Sequence, residues 1–415
     1  MQEKNISRLN LEQCQKCSLC NTVCPMMAVN PAYPGPKRSG PDGERYRLKD
    51  PVFYDEALKY CLNCKRCEVA CPSDVKIADM ISEARLSYGH MSRPLRDWTL
   101  ANTDLVGSLA SPLSGIVNPV LGSRPVKYLM DKVIGVDERR RFPSYSKQTF
   151  EKWFRSEALE KQGSYKKQVS FFHGCYINYN YPQLGKDLVS LMNACGYGVR
   201  LLEKEKCCGV ALIANGLGKQ AASQARTNMS SIRKALDGKS EAVLGASSTC
   251  MFTMRDEYPH VLGVGNDGVR DSLMLAVAFI ARKVEEGSVK LAFRQDYHRK
   301  MAYHTACHMQ KLGWSVYSIK LLRMIPGLEL EVLDQECCGI AGTFGFKKEN
   351  YDYSQAIGSK LFSSIAKSGA GEVVTECETC KWQIEMSAGV KVLNPVSVLV
   401  EALDMEKTKE LNSNG

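Results

Sequence analysis

The sequence has no long hydrophobic run. Its longest purely apolar stretch, Leu273 to Ala281, has nine residues between Asp271-Ser272 and Arg282, whereas a membrane-crossing helix needs ~20. The N-terminal stretch MQEKNISRLNLEQ is polar and carries acids, so it lacks the apolar core of a secretory signal. We therefore expect a chain that does not span a membrane and whose cysteines stay in a reducing compartment.

Signatures of organic cofactors are also lacking. The sequence contains no P-loop, and a G-x-G-x-x-G match at Gly263 to Gly268 follows the segment RDEYPHVL, which has a proline where a buried strand would be required. The net charge of +10 would attract anionic partners. Because interleaved aromatics and a helix-turn-helix pattern are both missing, we expect no nucleic acid among those partners.

The sequence does contain eighteen cysteines. The first eight form two runs with the spacing C-x2-C-x2-C-x3-C-P, offset by 47 residues: Cys14, Cys17, Cys20 and Cys24 before Pro25, then Cys61, Cys64, Cys67 and Cys71 before Pro72. In two-cluster bacterial ferredoxins with this spacing, the fourth cysteine ligates the other cluster.

The spacing therefore predicts two cubane 4Fe-4S clusters with crossed ligands. One cluster takes Cys14, Cys17, Cys20 and Cys71, and the other takes Cys61, Cys64, Cys67 and Cys24. Structural zinc is the alternative, but two C-x2-C pairs would satisfy it, which leaves the third cysteine and the proline of each run unexplained.

The segments around these runs predict a small, mainly helical domain over residues 1–90. The Pro- and Gly-rich insertion between Cys24 and Cys61 predicts an ordered loop followed by a short helix, Asp55 to Tyr60. After Pro72, the apolar residues from Val75 to Leu86 recur mostly at helical spacing.

Residues 91–167 predict a linker with an unusual distribution of charge. Trp98 to Ser123 contains no Lys or Arg and a single acid, Asp104, whereas Arg124 to Lys167 is basic and includes Arg139-Arg140-Arg141. An apolar segment beside a basic one is typical of contact with an anionic membrane surface. A linker packed between domains, with a solvated charged face, is the alternative.

The remainder of the chain is a duplication, which predicts one repeat at 168–295, another at 296–405 and a polar tail at 406–415. Cys207-Cys208-Gly209 returns as Cys337-Cys338-Gly339, 130 residues later. In the second repeat, strands are expected at 301–304, 328–333 and 372–375, with helices at 315–324 and 353–367. Alternating elements predict parallel sheets covered by helices, with ligand sites at the carboxyl ends of the strands. The fold class is thus α+β and multidomain.

Each repeat brings a cysteine group to those strand ends. The second repeat offers five thiols, more than a tetrahedral zinc or an ordinary cubane uses, which favours an open, irregular iron-sulfur cluster: Cys307, Cys337, Cys338, Cys377 and Cys380. The first repeat has Ser247 at the fifth position and keeps Cys175, Cys207, Cys208 and Cys250, so its cluster is modified or absent. Nearby histidines either hydrogen-bond cluster sulfurs or serve the structure: His173, His304 and His308.

Several strings resemble a known family of iron-sulfur subunits over nearly the whole chain. They include YPGPK, ALKYCLNCKRCEVACPSDVKI, EKCCGVALIANG, CCGIAGTFGFKKENY and VTECETCKWQIEMS. Two 4Fe-4S motifs joined to a duplicated CCG domain are similar to glycolate and lactate oxidase iron-sulfur subunits and to a fusion of the C and B subunits of heterodisulfide reductase. The strings most closely resemble the iron-sulfur subunits of anaerobic glycerol-3-phosphate dehydrogenases.

The resemblance implies an electron-transfer subunit with no catalytic site for glycerol 3-phosphate of its own. It implies flavoprotein catalytic subunits A and B as partners, delivery of electrons to membrane quinone, and a peripheral position on the cytoplasmic face of the inner membrane. The B subunit of heterodisulfide reductase implies a noncubane 4Fe-4S cluster held by the five cysteines of the second repeat, and a second such cluster if four cysteines suffice in the first. A heterodisulfide-reductase-like thiol/disulfide enzyme is the alternative function.

Overall fold

The computed structural model describes residues 9–51, 53–89 and 93–413. Part of the polar N-terminal stretch, and the last two residues of the expected tail, therefore lie outside the described residues. The expected fold class is confirmed: a helical N-terminal domain precedes two α/β repeats, each built on a parallel four-stranded sheet.

Among the described residues of the N-terminal domain, all regular elements are helices, and loops connect them. Buried side chains of the helix Ile77–Tyr88, such as Met80 and Ile81, form its core together with Leu11, Leu58 and Val75. The expected helix before Cys61 is present as a 3-10 helix, Glu56–Tyr60, capped by the Asp55 side chain. The other elements are Leu11–Gln13, Leu19–Thr22, Arg38–Asp42, Gly43–Lys49 and Arg66–Val69.

Short helices form the linker, and its apolar segment packs on one side only. Asp104 accepts a hydrogen bond from the Cys207 backbone N–H at 2.6 Å, and Gly107 lies so close to the Tyr179 ring that a Cβ there would collide with it. The linker helices are Pro94–Ala101, Thr103–Ala110, Ser114–Gly122, Arg124–Leu129, Met130–Ile134, Phe150–Trp153, Phe154–Ala158 and Leu159–Gln162.

The other side of these helices is exposed, and we call its large side chains the apolar surface. In the apolar segment, Leu105, Leu109, Leu113 and Ile116 are exposed, whereas Val106 and Val117 are half-buried. The remaining members of the apolar surface are Leu95, Trp98, Val120, Tyr128, Leu129 and Val133. The linker therefore has both expected properties, a packed face and an exposed apolar face.

The arginine run corrects one expectation about the basic stretch. Arg140 is buried, and its guanidinium donates to the Gly345 carbonyl, to Gln383 Oε1 and to Ser354 Oγ. Arg139 pairs with Asp137 and Asp352. These two arginines join the linker to the second repeat. Their charges are engaged within the protein, so they do not form part of a free basic face for an anionic membrane surface.

Each repeat contains a parallel sheet. The first strand of the repeat lies between the second strand, which is at one edge, and the third strand. The orders are β2-β1-β3-β4 and β6-β5-β7-β8. The first-repeat strands are β1 Lys167–Phe171, β2 Tyr197–Leu201, β3 Val243–Gly245 and β4 Leu273–Leu275. The second-repeat strands are β5 Arg299–Tyr303, β6 Leu328–Val332, β7 Glu372–Val374 and β8 Lys391–Leu393.

Helices cover these sheets, and those expected in the second repeat are present. They begin at the expected residues or within two of them, because the apolar spacing marks the buried face. First-repeat helices are Gly174–Tyr179, Pro182–Ala194, Val210–Ala214, Gly218–Asp237, Ser248–Phe252, Thr253–Glu257, Tyr258–His260, Arg270–Ser272 and Ala276–Glu285. Second-repeat helices are Cys307–Leu312, Ser315–Arg323, Phe344–Phe346, Lys348–Asn350, Tyr351–Ser368, Glu378–Ser387 and Pro395–Ala402.

The two repeats share one hydrophobic core. The helix Pro395–Ala402 of the second repeat packs on Pro182–Ala194 of the first, where Ser397 Oγ donates to Asp187 Oδ2 at 2.5 Å. The segment expected as a polar tail is instead mostly a helix, Met405–Asn412. It also packs on Pro182–Ala194, because Thr408 is buried and the Asn412 side chain caps the Ala194 carbonyl.

Candidate iron-sulfur centres

The structure groups the N-terminal cysteines in the crossed arrangement that the spacing predicts. One cavity of about 360 Å³, including space open to solvent, is lined by Cys14, Cys17, Cys20 and Cys71. A second, of about 330 Å³, is lined by Cys24, Cys61, Cys64 and Cys67. The fourth cysteine of each run thus lies with the first three of the other run. These two groups are called site 1 and site 2.

The loops of both runs have the same special backbone. Lys16 and Ser18 have positive φ in the first run, as do Asn63 and Lys65 at the equivalent positions of the second. Alternating left- and right-handed residues turn successive N–H groups toward one side and form concavities that hold anions, including iron-sulfur clusters. Both loops therefore fit a cubane with its negatively charged sulfides.

The electrostatics of these thiols also suit metal binding. Burial raises the pKa of Cys20 to about 11 and that of Cys24 to about 12, with neighbouring thiols adding to the effect. Buried thiolates this close to one another need a cation to remain ionised. Among the described residues, no three His, Cys, Asp or Glu side chains converge on a point that would suit a single metal ion. The sulfurs instead surround cavities, an arrangement that suits a polynuclear cluster.

The second-repeat cysteines converge beyond the ends of β5, β6 and β7, and this group is called site 3. Cys338 Sγ lies 3.3 Å from Cys380 Sγ. Hydrogen bonds from Cys337 and Cys380 lower the pKa of Cys338 to about 6, and one from Cys380 lowers the pKa of Cys377 to about 6. Cys307 hydrogen-bonds with Cys337 and thereby joins the group. All five predicted cysteines are therefore together.

His304 supplies an independent observation at site 3. It is fully buried at the end of β5, and neither of its ring nitrogens has a hydrogen-bond partner in the described structure. Buried polar groups are rarely left without partners. A cluster sulfide beside Cys307 would accept the missing hydrogen bond, so the orphaned ring fits a bound iron-sulfur cluster. Burial lowers the pKa of His304 to about 4, so this ring is neutral near pH 7 and one nitrogen carries a proton.

The first-repeat cysteines form site 4 beyond β1, β2 and β3. Cys175 Sγ lies 3.6 Å from Cys207 Sγ, and Cys208 hydrogen-bonds with Cys250. Hydrogen bonds from Cys175 and Cys208 hold the pKa of Cys207 well below its ordinary value. Ser247 lies at the fifth position, where its side chain caps the following helix by accepting from the Cys250 N–H at 3.3 Å.

The four sites adjoin one another in turn, and Cys20 of site 1 shares a hydrophobic cluster with Cys67 of site 2. Cys64 of site 2 hydrogen-bonds with Cys307 of site 3, and Cys24, Cys64, Cys307 and Cys337 share one hydrophobic cluster. Sites 3 and 4 also meet: Thr249 Oγ1 lies 3.6 Å from Cys377 Sγ.

Several residues around the sites were not found from the sequence. Asp104, the one acid of the apolar segment, reaches site 4, where burial and the Cys207 charge raise its pKa to about 6. Glu205 accepts from the backbone N–H groups of His173 and Gly174. Glu378, inside the motif CETC of site 3, faces site 4 instead. Two features of the sequence could have pointed to these residues. Asp104 is the one acid of an apolar segment, and Glu378 lies inside a cysteine motif.

The flanking histidines other than His304 have protein partners. His173 Nδ1 lies 3.0 Å from the Gly174 carbonyl oxygen and 3.1 Å from Glu205 Oε1. His308 Nε2 lies 3.1 Å from the Asn63 carbonyl oxygen, and its ring stacks on Phe252. These two therefore match the structural role that was the alternative in the sequence.

Comparisons with known proteins agree with this architecture. Residues 10–75 match the model of a 4Fe-4S dicluster domain, and residues 169–255 and 301–385 match that of a cysteine-rich domain. The molecule is thus an iron-sulfur protein with a two-cluster ferredoxin domain and a duplicated cysteine-rich domain.

Full-length relatives define the family more closely. The chain is 56% identical over 394 residues to the C subunit of anaerobic glycerol-3-phosphate dehydrogenase from Escherichia coli, covering 95% of this chain and 99% of that protein. It is 24% identical to the glycolate oxidase iron-sulfur subunit of E. coli, with 95% of each chain covered. It is also 24% identical to the B subunit of fumarate reductase (CoM/CoB) from Methanothermobacter marburgensis, covering 95% of this chain and 72% of that protein. The chain belongs to the family formed by the C subunits of anaerobic glycerol-3-phosphate dehydrogenases.

Proposed function

We propose that this chain carries electrons from a flavin-containing glycerol-3-phosphate dehydrogenase to membrane quinone. In this proposal, sites 1 and 2 hold cubane 4Fe-4S clusters, and sites 3 and 4 hold noncubane clusters. The observation that carries the proposal is the contact between Cys64 and Cys307, because it places ligands of the ferredoxin domain against ligands of the second repeat. The four sites then form one continuous route, site 1 to site 4.

The exposed end of this route suits a protein partner. Cys17 is exposed at site 1, as is the neighbouring Leu19, whereas Cys67 of site 2 is buried. Electrons from a separate flavoprotein therefore enter most directly at site 1. We assign that role to the catalytic subunits A and B of the same dehydrogenase, because this chain shows no flavin signature of its own.

The other end of the route lies near the apolar surface. Asp104 belongs to the helix Thr103–Ala110 that presents Leu105 and Leu109, and it hydrogen-bonds with the Cys207 backbone at site 4. We propose that the apolar surface enters an anionic bilayer, where exposed Arg124 and Lys132 lie close in sequence to its last members. We propose accordingly that the chain lies peripherally on the cytoplasmic face of the inner membrane, near its quinone.

Among the described residues, no single helix has the length and apolarity to cross a bilayer, and the pair Thr103–Ala110 and Ser114–Gly122, bent by 113°, is the one combination that meets those criteria.

The alternative function, a heterodisulfide-reductase-like enzyme, needs two complete five-cysteine sites. Site 4 has four cysteines and a helix-capping Ser247, so the geometry supports the electron carrier better.

The test uses the anaerobically purified complex with its flavoprotein subunits and a soluble quinone analogue. Glycerol 3-phosphate should reduce the clusters of the wild-type chain, and quinone should reoxidise them. In Cys307→Ser, sites 1 and 2 should still be reduced, but quinone reduction should fall to background because the route is interrupted. Cys195→Ser is the control, since Cys195 is buried outside all four sites. Wild-type quinone reduction in Cys307→Ser would refute the route.

A further inference from the structure

Site 4 lacks one thiolate, and the position of that missing ligand is known from the duplication. Ser247 corresponds to Cys377, which is the fifth cysteine of site 3. Its hydroxyl already makes two hydrogen bonds: it accepts one from the Cys250 N–H and donates one to Glu378 Oε2 at 2.8 Å. The Ser247 hydroxyl is therefore engaged with protein groups and not available to a metal. Its hydrogen bond fixes the Glu378 carboxylate beside it.

Glu378 comes from the second repeat but lies at the site of the first. It follows Cys377 at the start of the helix Glu378–Ser387, and it lines one cavity of about 480 Å³, including open space, together with Cys175, Cys250 and Ser247. The charge of Glu378 acts on Cys250, and the charges that act on Glu378 are those of Cys377 in site 3 and, to a smaller extent, Cys207 in site 4. The carboxylate thus lies beside three thiols of site 4, those of Cys175, Cys207 and Cys250, and also beside its neighbour Cys377.

In the described part of the chain, no lysine or arginine forms an ion pair with Glu378, and the nearby Lys381 is paired with Glu385. The Ser247 hydroxyl is the one side-chain donor that reaches this carboxylate among the described residues, so oxygen lone pairs remain for another partner.

We infer that Glu378 is an iron ligand of the site 4 cluster and takes the place of the thiolate that Ser247 lacks. The inference rests on the proposed function, because it requires the cluster assigned there to Cys175, Cys207, Cys208 and Cys250. Four thiolates and one carboxylate then match in number the five thiolates of site 3. Carboxylate oxygens are ordinary iron ligands, and the Ser247 hydrogen bond orients this one.

The first measurement uses the wild-type chain and does not depend on folding of a variant. The chain is labelled with carbon-13 glutamate, purified anaerobically and studied by pulsed EPR in redox states that make the site 4 cluster paramagnetic. We expect a carbon-13 hyperfine coupling from a bound carboxylate on the site 4 signal. A site 4 signal without that coupling would overturn the inference and leave the proposed electron route standing.

The second measurement compares three variants by iron content and Mössbauer spectra. Glu378→Gln should lose about one iron per chain, because an amide is a much weaker iron ligand, while the cubane signals of sites 1 and 2 stay unchanged. Glu385→Gln, the same change on the same helix, should retain all the iron. Ser247→Ala should retain it as well, since it removes a hydrogen bond and no ligand.

Three outcomes would contradict the inference in distinguishable ways. Unchanged iron and spectra in Glu378→Gln would show that Glu378 is not a ligand, with the site 4 cluster itself intact. A wild-type chain whose spectra show no cluster at site 4 would remove both the inference and the cofactor assignment on which it rests. Loss of iron in Ser247→Ala together with full iron in Glu378→Gln would assign the ligand to the serine.

Discussion

Lys65 joins the ferredoxin domain to the first repeat, and its replacement gives a prediction that can be worked out from the structure. Its side chain is fully buried between Cys64 and Arg66 of the site 2 loop. The ammonium group bonds with Asp79, lies 3.9 Å from Glu68 Oε1 and lies 3.6 Å from Glu257 Oε1 of the first repeat. All three carboxylates are themselves buried, so Lys65 is the cation at their centre.

Methionine at this position would keep most of the buried stem and remove the charge. Asp79 and Glu257 would lose their lysine, whereas Glu68 would keep Lys311, whose Nζ lies 3.3 Å from Glu68 Oε2. Breaking a buried ion pair in this way costs about 3–5 kcal/mol. His260, whose Nδ1 lies 3.3 Å from Asp79 Oδ2, would offset part of this loss. Since Lys65 already has a positive φ of 62°, methionine introduces little new backbone strain, and the charge accounts for the effect.

Native-state hydrogen exchange of the helix Ile77–Tyr88, which carries Asp79, measures this cost. At about 1.4 kcal/mol for each factor of ten, 3–5 kcal/mol corresponds to exchange that is faster by roughly a hundredfold to a few thousandfold. Lys59→Met is the matched control, because that side chain is 55% exposed and its pair with Glu56 is on the surface. Such a pair is worth about 0–1 kcal/mol. Exchange in Lys65→Met within tenfold of wild type would refute the argument.

Three further predictions follow from the same structure. Cys71→Ala should disturb the EPR signal of the cluster on Cys14 and leave that of site 2, and loss confined to site 2 would contradict the crossed ligation. The double variant Leu109→Asp, Ile116→Asp should bind anionic liposomes at least tenfold more weakly, because charged side chains oppose entry of the apolar surface into lipid. Its iron content should stay unchanged, which serves as the control. Undiminished binding would contradict the role proposed for the apolar surface. Arg140→Met should lower the free energy of unfolding by about 3 kcal/mol in urea titrations, since three buried acceptors lose their donor, and a change below about 1 kcal/mol would contradict that cost.

The sequence predicted the features that depend on local spacing. The crossed arrangement of Cys24 and Cys71 followed from a repeated motif whose geometry is set by a few bonds. The parallel sheets followed from strands alternating with helices. The duplication placed Cys207 and Cys337 at equivalent strand ends, because parallel strands bring such positions to one edge of a sheet.

The features that the sequence did not predict depend on contacts between distant segments. Arg140 belongs to a basic run that resembles a solvated face, yet it is buried by Gly345 and Gln383 from the second repeat. The same limit applies to Glu378, whose neighbour Cys377 turns toward site 3 while the carboxylate crosses to Ser247. No local pattern records which residue a side chain will meet across an interface.

The division between the two levels has a physical reason. Cysteine spacing, strand periodicity and the 130-residue repeat are properties of neighbouring residues, so the sequence alone determined the class of centres and the fold that carries them. The order of the four sites, the contact of Cys64 with Cys307 and the two-sided packing of the linker depend on how three units pack together. Packing across units is a sum of many weak contacts, and only the tertiary structure decided it.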